Sequence, residues 1–232
     1  LGDVYKRQGY NGSENFPKNK KFGFFPSVAI GYNLSEEKFW EPLRNIIPQF
    51  KIRASWGLVG NDQTGAGRFT FLENLTNSGA GFTTGTGNQT HTNSGPVWKR
   101  YANPNLTWEV GEKWNAGIDV RILKGFSFSA DIFKEVRKEI FMDRGTIPTL
   151  MGLGNVTVQG NLGKMRNWGI DTSVDYNNQI NKDLFVSFKG TFTFAHNKIL
   201  EMDEPEFSLY PNRLKVGHSL NTISVSYTHL TL

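Results

Sequence analysis

Residues 22–34 read FGFFPSVAIGYNL, and every second side chain is apolar: Phe22, Phe24, Val28, Ile30, Tyr32 and Leu34, broken by Pro26. Those between are small or polar, Gly23, Ser27, Ala29, Gly31 and Asn33, with Phe25 the exception. A period of two over this length specifies a β-strand with one apolar face. A helix is excluded, because its apolar residues recur every three or four. The remaining choice is what that face touches. A protein core and a lipid bilayer would both accept it.

The alternation recurs five more times. Residues 50–58 set Phe50, Ile52, Ala54, Trp56 and Leu58 against Lys51, Arg53, Ser55 and Gly57. Residues 106–122 put Leu106, Trp108, Val110, Trp114, Ala116, Ile118, Val120 and Ile122 opposite Thr107, Glu109, Lys113, Asn115, Asp119 and Arg121. Residues 126–142 put Phe126, Phe128, Ala130, Ile132, Val136, Ile140 and Met142 on the greasy side, where Lys134 and Lys138 interrupt near its outer end. Residues 168–176 and 184–194 follow the same rule, from Trp168 to Tyr176 and from Leu184 to Phe194. The strands expected for 106–123 and 126–142 are about three times the usual five or six residues.

The connections discriminate further. Lys124-Gly125 predicts a two-residue hairpin turn, and 177–183 is another short, Asn-rich one. Residues 61–105 hold 45 residues, 22 of them Gly, Thr or Asn. Stretches 143–160 and beyond 199 are similar in kind. Between them, 35–49 places Phe39, Trp40, Leu43, Ile46 and Ile47 at helical spacing, with Pro42 able to open a short helix. Long loops at one edge and short turns at the other are what outer-membrane barrels show. A 45-residue loop would be out of place in a compact soluble domain. The reading is an all-β, antiparallel transmembrane β-barrel segment of about six or seven strands, with extracellular loops and periplasmic turns.

Composition agrees. Gly is abundant, at 25 of 232 residues, and aromatics reach 13%, which suits strands and turns. There is no cysteine, so neither a disulfide framework nor a thiolate metal site is available. The net charge of +5 is mild and its cations are scattered, KNKK at 18–21 being the densest run, so no nucleic-acid partner is expected. No run of 18 apolar residues occurs, which excludes a membrane helix but not a spanning strand of about 9–11 residues. LGDVYKRQ at 1–8 and VSYTHLTL at 225–232 resemble translated adapter sequence, so 9–224 is taken as the barrel portion.

Several phrases carry a resemblance. GFFPSVAIGYNLSEEKF at 23–39 and FKIRASWGLVGND at 50–62 are similar to the SusC/RagA family of TonB-dependent outer-membrane transporters. The match continues through NPNLTWEVGEKWNAGIDV at 103–120, FSFSADIFKEVRKEIF at 126–141 and NLGKMRNWGIDTSVDY at 161–176, in the family's order. The resemblance implies a plugged barrel of about 22 strands. It implies import of oligosaccharides or peptides, energised through TonB, with a SusD-like surface lipoprotein as partner and outer-membrane lipid around the wall.

No catalytic constellation emerges, and neither enzyme activity nor a cofactor is expected. The four His stand far apart, at 91, 196, 218 and 229. The acidic run Glu201, Asp203, Glu204 and Glu206 reads as a solvated loop or a weak Ca²⁺ site; no metal site is assigned. Substrate-contact candidates lie in the long loop: Asn61, Asp62 and Arg68 at one end, Trp98, Arg100, Tyr101 and Asn103 at the other. Trp98 and Tyr101 could equally pack the loop against itself or join an aromatic belt. Lys51, Arg53, Glu109, Lys113, Asp119 and Arg121 are expected to face the lumen, as cross-strand charge pairs or plug contacts. Tyr32, Trp56, Trp108, Trp114, Trp168 and Tyr176 are expected to form lipid-facing girdles. The alternative to a barrel wall is a glycan-binding β-sandwich, soluble or attached to the cell surface, whose two greasy faces meet.

Overall fold

The structure, a computed structural model, describes residues 2–65, 67–122, 125–147, 150, 156, 158–207 and 211–223. Eleven strands occur among them: β1 (Gly2–Gly12), β2 (Phe22–Asn33), β3 (Gln49–Asn61), β4 (Asn74–Thr76), β5 (Gly81–Thr84), β6 (His91–Ser94), β7 (Val97–Arg100), β8 (Glu109–Ile122), β9 (Phe126–Asp143), β10 (Gln159–Asn181) and β11 (Leu184–Glu201). Seven form one antiparallel sheet in the order β1-β2-β3-β8-β9-β10-β11. Chain order is kept, so each long strand lies beside the next. The 23 residues of β10 and 18 of β9 extend, at about 3.3 Å each, well beyond a hydrocarbon core of about 30 Å.

Register holds the apolar positions in rows. Ala54 pairs with Ala116, Ala116 with Ile132, Ile132 with Ile170, and Ile170 with Phe194. Nothing among the described residues forms a second layer over this face: Ile132 is 60% and Phe192 63% exposed. The sandwich alternative requires the opposite. The outer sides of β1 and β11 have no partner strand among the described residues.

Residues 2–8 of the stretch set apart as foreign contribute to β1, which pairs with β2 from Gly2↔Tyr32 to Gly12↔Phe22. The expectation for 225–232 lies outside the described residues, as does part of the Lys124-Gly125 turn. Gly125 itself is described. Its φ of +96° suits glycine, and its carbonyl accepts the Asn177 N–H at 2.8 Å.

Two readings need correction. Residues 35–49 form short 3₁₀ turns (Leu34–Glu36 and Lys38–Leu43), with Pro42 inside the second. Apolar spacing there reflects local packing: Trp40 stacks on Phe50 with ring centroids 5.2 Å apart. The long polar stretch after β3 also folds more than its composition implied. It carries two small sheets, β4 with β7 and β5 with β6.

Candidate functional site

The polar face of the sheet concentrates charge around a glycine. Arg53 pairs with Gly117, and Gly117 with Asp131. With no side chain between them, Arg53 Nη2 reaches Asp131 Oδ2 at 2.5 Å and lies 3.3 Å from Asp119 Oδ1. The Ser129 hydroxyl donates to Asp119 Oδ1 at 2.8 Å. A Cβ at Gly117 would overlap the Asp131 carboxylate. Asp171 stands directly opposite Asp131 on the next strand, and Arg53 is the cation paired with Asp131 on this acidic row. Arg53→Met is expected to lower stability by about 1–2 kcal/mol, the groups being partly exposed. Adding Asp131→Asn should recover part of that loss. Thermal midpoints of the parent barrel, read by heat-modifiable gel mobility, check both.

Of the other proposed lumen residues, Lys113 Nζ lies 3.9 Å from Glu135 Oε1, and Arg137 lies 3.6 Å from Glu109 Oε1. Lys51 crosses Gly31 on the neighbouring strand. Arg121 lines a small recess with Asp119, Ser127 and Asp175. Neither Lys51 nor Arg121 forms an ion pair among the described residues.

At the loop end the sheet carries its own small core. Trp108 is 8% exposed and clusters with Phe16, Phe25 and Leu106. Its ring meets Phe25 edge-on, centroids 5.3 Å apart, and its indole N–H donates to the Lys21 carbonyl at 3.3 Å. Trp108 is therefore not a lipid-facing girdle residue. The strand begins one residue later, at Glu109, and Phe16 and Leu106 from the loops fold over the indole. Phe25, the exception in the opening pattern, is explained by the same cluster.

The substrate-contact candidates mostly find partners within the loops. Trp98 stacks on Tyr101, ring centroids 5.6 Å apart. Arg100 donates to the carbonyls of Leu72 and Phe69, both at 3.3 Å. Asn103 donates to the Gln159 carbonyl at 3.0 Å. The Arg68 guanidinium lies 5.6 Å from the centre of the Phe69 ring. Asp62 accepts from Ser13 at 2.8 Å, and Asn61 donates to Glu109 at 3.5 Å. Tyr101 and Asn103 line a cleft of about 670 Å³ with Lys20, Asn105, Arg144 and Gln159. These donors and acceptors, beside an aromatic face, suit a polar ligand. In the acidic run, Glu201 pairs with Lys164 and Glu204 accepts the backbone N–H groups of Lys215 and Val216.

On the apolar face Trp56, Trp114 and Trp168 share one row, with Lys134 between the last two. Trp56 and Trp114 ring centroids are 6.0 Å apart. Tyr32 and Tyr176 lie toward the short-turn end. Sequence reasoning missed Glu112, whose parity puts it on the greasy face. Its carboxylate accepts both indole N–H groups, at 3.4 and 3.2 Å, and pairs with Lys138 at 3.0 Å.

A single antiparallel layer of such long strands, greasy on one face and charged on the other, with loops at one end and turns at the other, defines a segment of an outer-membrane β-barrel wall. The family profile described as "TonB dependent receptor-like, beta-barrel" matches residues 2–229. The chain belongs to that family, and its place is the outer membrane of a Gram-negative bacterium. It is 28% identical over 202 residues to the TonB-dependent receptor SusC of Bacteroides thetaiotaomicron, covering 87% of this chain and 19% of that one. It is 30% identical over 195 residues to the TonB-dependent receptor P3 of Formosa agariphila, covering 84% of this chain and 18% of that receptor. The chain thus spans about a fifth of the length of these relatives. Among solved structures, the RagAB peptide importer in its closed-closed state superposes with a TM-score of 0.71 at 20% identity, covering 94% of this chain and 23% of that one.

Proposed function

We propose that this chain is part of the lateral wall of an importer of oligosaccharides or peptides, energised through TonB and working with a SusD-like surface lipoprotein. The observation that carries this reading is the uncovered apolar face backed by a charged one. Lipid would cover the first, and a water-filled or plugged lumen would face the second. Import of peptides is what the RagAB similarity favours, and SusC similarity leads to the same machinery with either cargo. The loop cleft beside Tyr101 and Asn103 is where cargo or the surface partner would meet the wall.

The absence of cysteine in the chain makes the topology directly testable. In the full-length parent, otherwise free of cysteine, Ile132→Cys and Asn115→Cys are labelled with a nitroxide. The label at 132 is expected to be relaxed by dissolved oxygen in the bilayer. The label at 115 should respond to a water-soluble paramagnet. Equal aqueous exposure at both positions would overturn the wall assignment. Cargo uptake by cells should disappear when TonB is deleted.

A further inference from the structure

We propose that the loop-side rim of the apolar face binds the phosphate of an outer-leaflet glycolipid, the lipid A phosphate. This inference rests on the wall reading above.

Charged side chains on a lipid-facing strand surface are costly near the bilayer centre and tolerable only near headgroups. Four cations nevertheless occupy adjoining positions on this face. Lys134 pairs with Trp114 and Trp168. One row toward the loops, Arg166 pairs with Val136 and Lys198. Lys138 lies one further row out on β9. Glu112 is the carboxylate in these rows, and Lys138 and two indoles already occupy it. Glu201, further out, is taken by Lys164 at 2.7 Å. Among the described residues Lys134, Arg166 and Lys198 have no ion-pair partner, and Arg166 Nε is buried without a hydrogen-bond partner. Arg166 and Lys198 are direct neighbours across strands about 4.8 Å apart, and Lys134 stands one strand away on the other side of Arg166 and one row nearer the turns, so the three long side chains can converge on one phosphate.

Height along the wall agrees. Trp168 and Tyr176 are eight residues apart on β10. That is about 27 Å of strand, or about 20 Å of height at a tilt near 40°, comparable with an apolar band of about 25 Å between aromatic girdles. On β10 Trp168 is then the outer-girdle position, Lys134 stands beside it on β9, and Arg166 lies one row further toward the loops. The rows at the other end, Phe50-Val120-Phe128-Val174 and Ile122-Phe126-Tyr176-Phe188, carry no charge. The site therefore points to the outer leaflet alone.

A lipid is favoured over a free anion by what lies beneath. The small side chains of Ala54 and Ala116 leave an apolar groove of about 380 Å³ between Ile30 and Ile132, with Lys134 at its edge. An acyl chain fits there while its headgroup phosphate meets Lys134, Arg166 and Lys198.

The test uses the full-length parent barrel in nanodiscs, with lipid A, dephosphorylated lipid A and inorganic phosphate as probes. The wild type is expected to retain lipid A at least tenfold better than the dephosphorylated form. K134Q/R166Q/K198Q should lose that preference while keeping its heat-modifiable mobility. Ala116→Phe, which fills the groove and leaves every charge in place, should weaken lipid A retention severalfold. Should the triple variant fail to assemble, Arg166→Gln alone is read, with a severalfold loss expected and Arg166→Lys retaining most binding. Equal retention of both lipids by the wild type, or undiminished preference in the charge variants, would overturn the proposal. So would displacement of lipid A by millimolar inorganic phosphate. A barrel that never enters the nanodisc would instead overturn the wall reading itself.

Discussion

Replacing Ile118 with arginine is expected to remove most of the parent barrel from the outer-membrane fraction. Ile118 pairs with Ile52 on one side and Ala130 on the other, and Ala130 with Thr172. On its own strand Ile118 lies four residues from both Trp114 and Ile122, halfway along the apolar face of β8. A guanidinium there cannot reach either headgroup layer without distorting the wall. The cost for arginine at the midplane of a barrel's lipid face is about 2–4 kcal/mol, a large share of a total stability of about 5–15 kcal/mol. The control is Asn115→Arg on the same strand, whose side chain belongs to the polar face. That substitution should change stability by no more than about 0.5 kcal/mol. Urea midpoints of the refolded parent barrel in lipid, together with membrane fractionation, read both outcomes. Equal damage from the two variants would contradict the facing of β8.

Trp108→Ala is expected to cost about 3–5 kcal/mol, the range for truncating a buried large aromatic. The loss should be local. Trp108 holds Phe16 from one loop, Leu106 from another and Phe25 from β2. Without the indole, loops 13–21 and 101–108 lose their common anchor, and the Lys21 carbonyl loses its donor. Amide exchange in those two segments should accelerate by two or more orders of magnitude, while β9 and β10 keep their protection. Trp108→Phe retains most of the apolar contact and should cost less than half as much. Uniform acceleration across the whole sheet would mean that the cluster belongs to the wall's own stability rather than to the loops.

The strands were legible because alternation is a local signal. β2, β3 and β9 follow the apolar pattern almost to the residue. β10 did not show its length, since residues 160–167 read GNLGKMRN, in which the two greasy side chains, Leu162 and Met165, stand on opposite parities and make no alternating row. A strand standing above the bilayer has no need of one. Trp108 misled for the complementary reason. Its parity matches the apolar face, but two loops distant in sequence cover it, and no local pattern encodes that. The small sheets in the long loop were hidden by composition. His91–Ser94 is HTNS, in which no apolar residue marks a strand.

The candidate site was legible as residue types and opaque as geometry. Arg53, Asp119 and Lys113 stand out on polar positions. That Arg53 reaches past Gly117 to Asp131 depends on register across three strands. The two readings of Trp98 and Tyr101 likewise turned on tertiary contact, and their stacking gives the loop an internal scaffold. Glu112 was overlooked because a carboxylate on a greasy face breaks the pattern. Its partners, two indoles and Lys138, lie on neighbouring strands.

The flanks of β1 and β11, without a partner strand among the described residues, have a consequence for how this wall can come into being. Each presents a row of amides and carbonyls that hydrocarbon cannot satisfy, at several kcal/mol apiece. The arc is thus homeless in a bilayer until the rest of the cylinder zips onto both seams. Insertion of such an arc is then coupled to the pairing of both its edges.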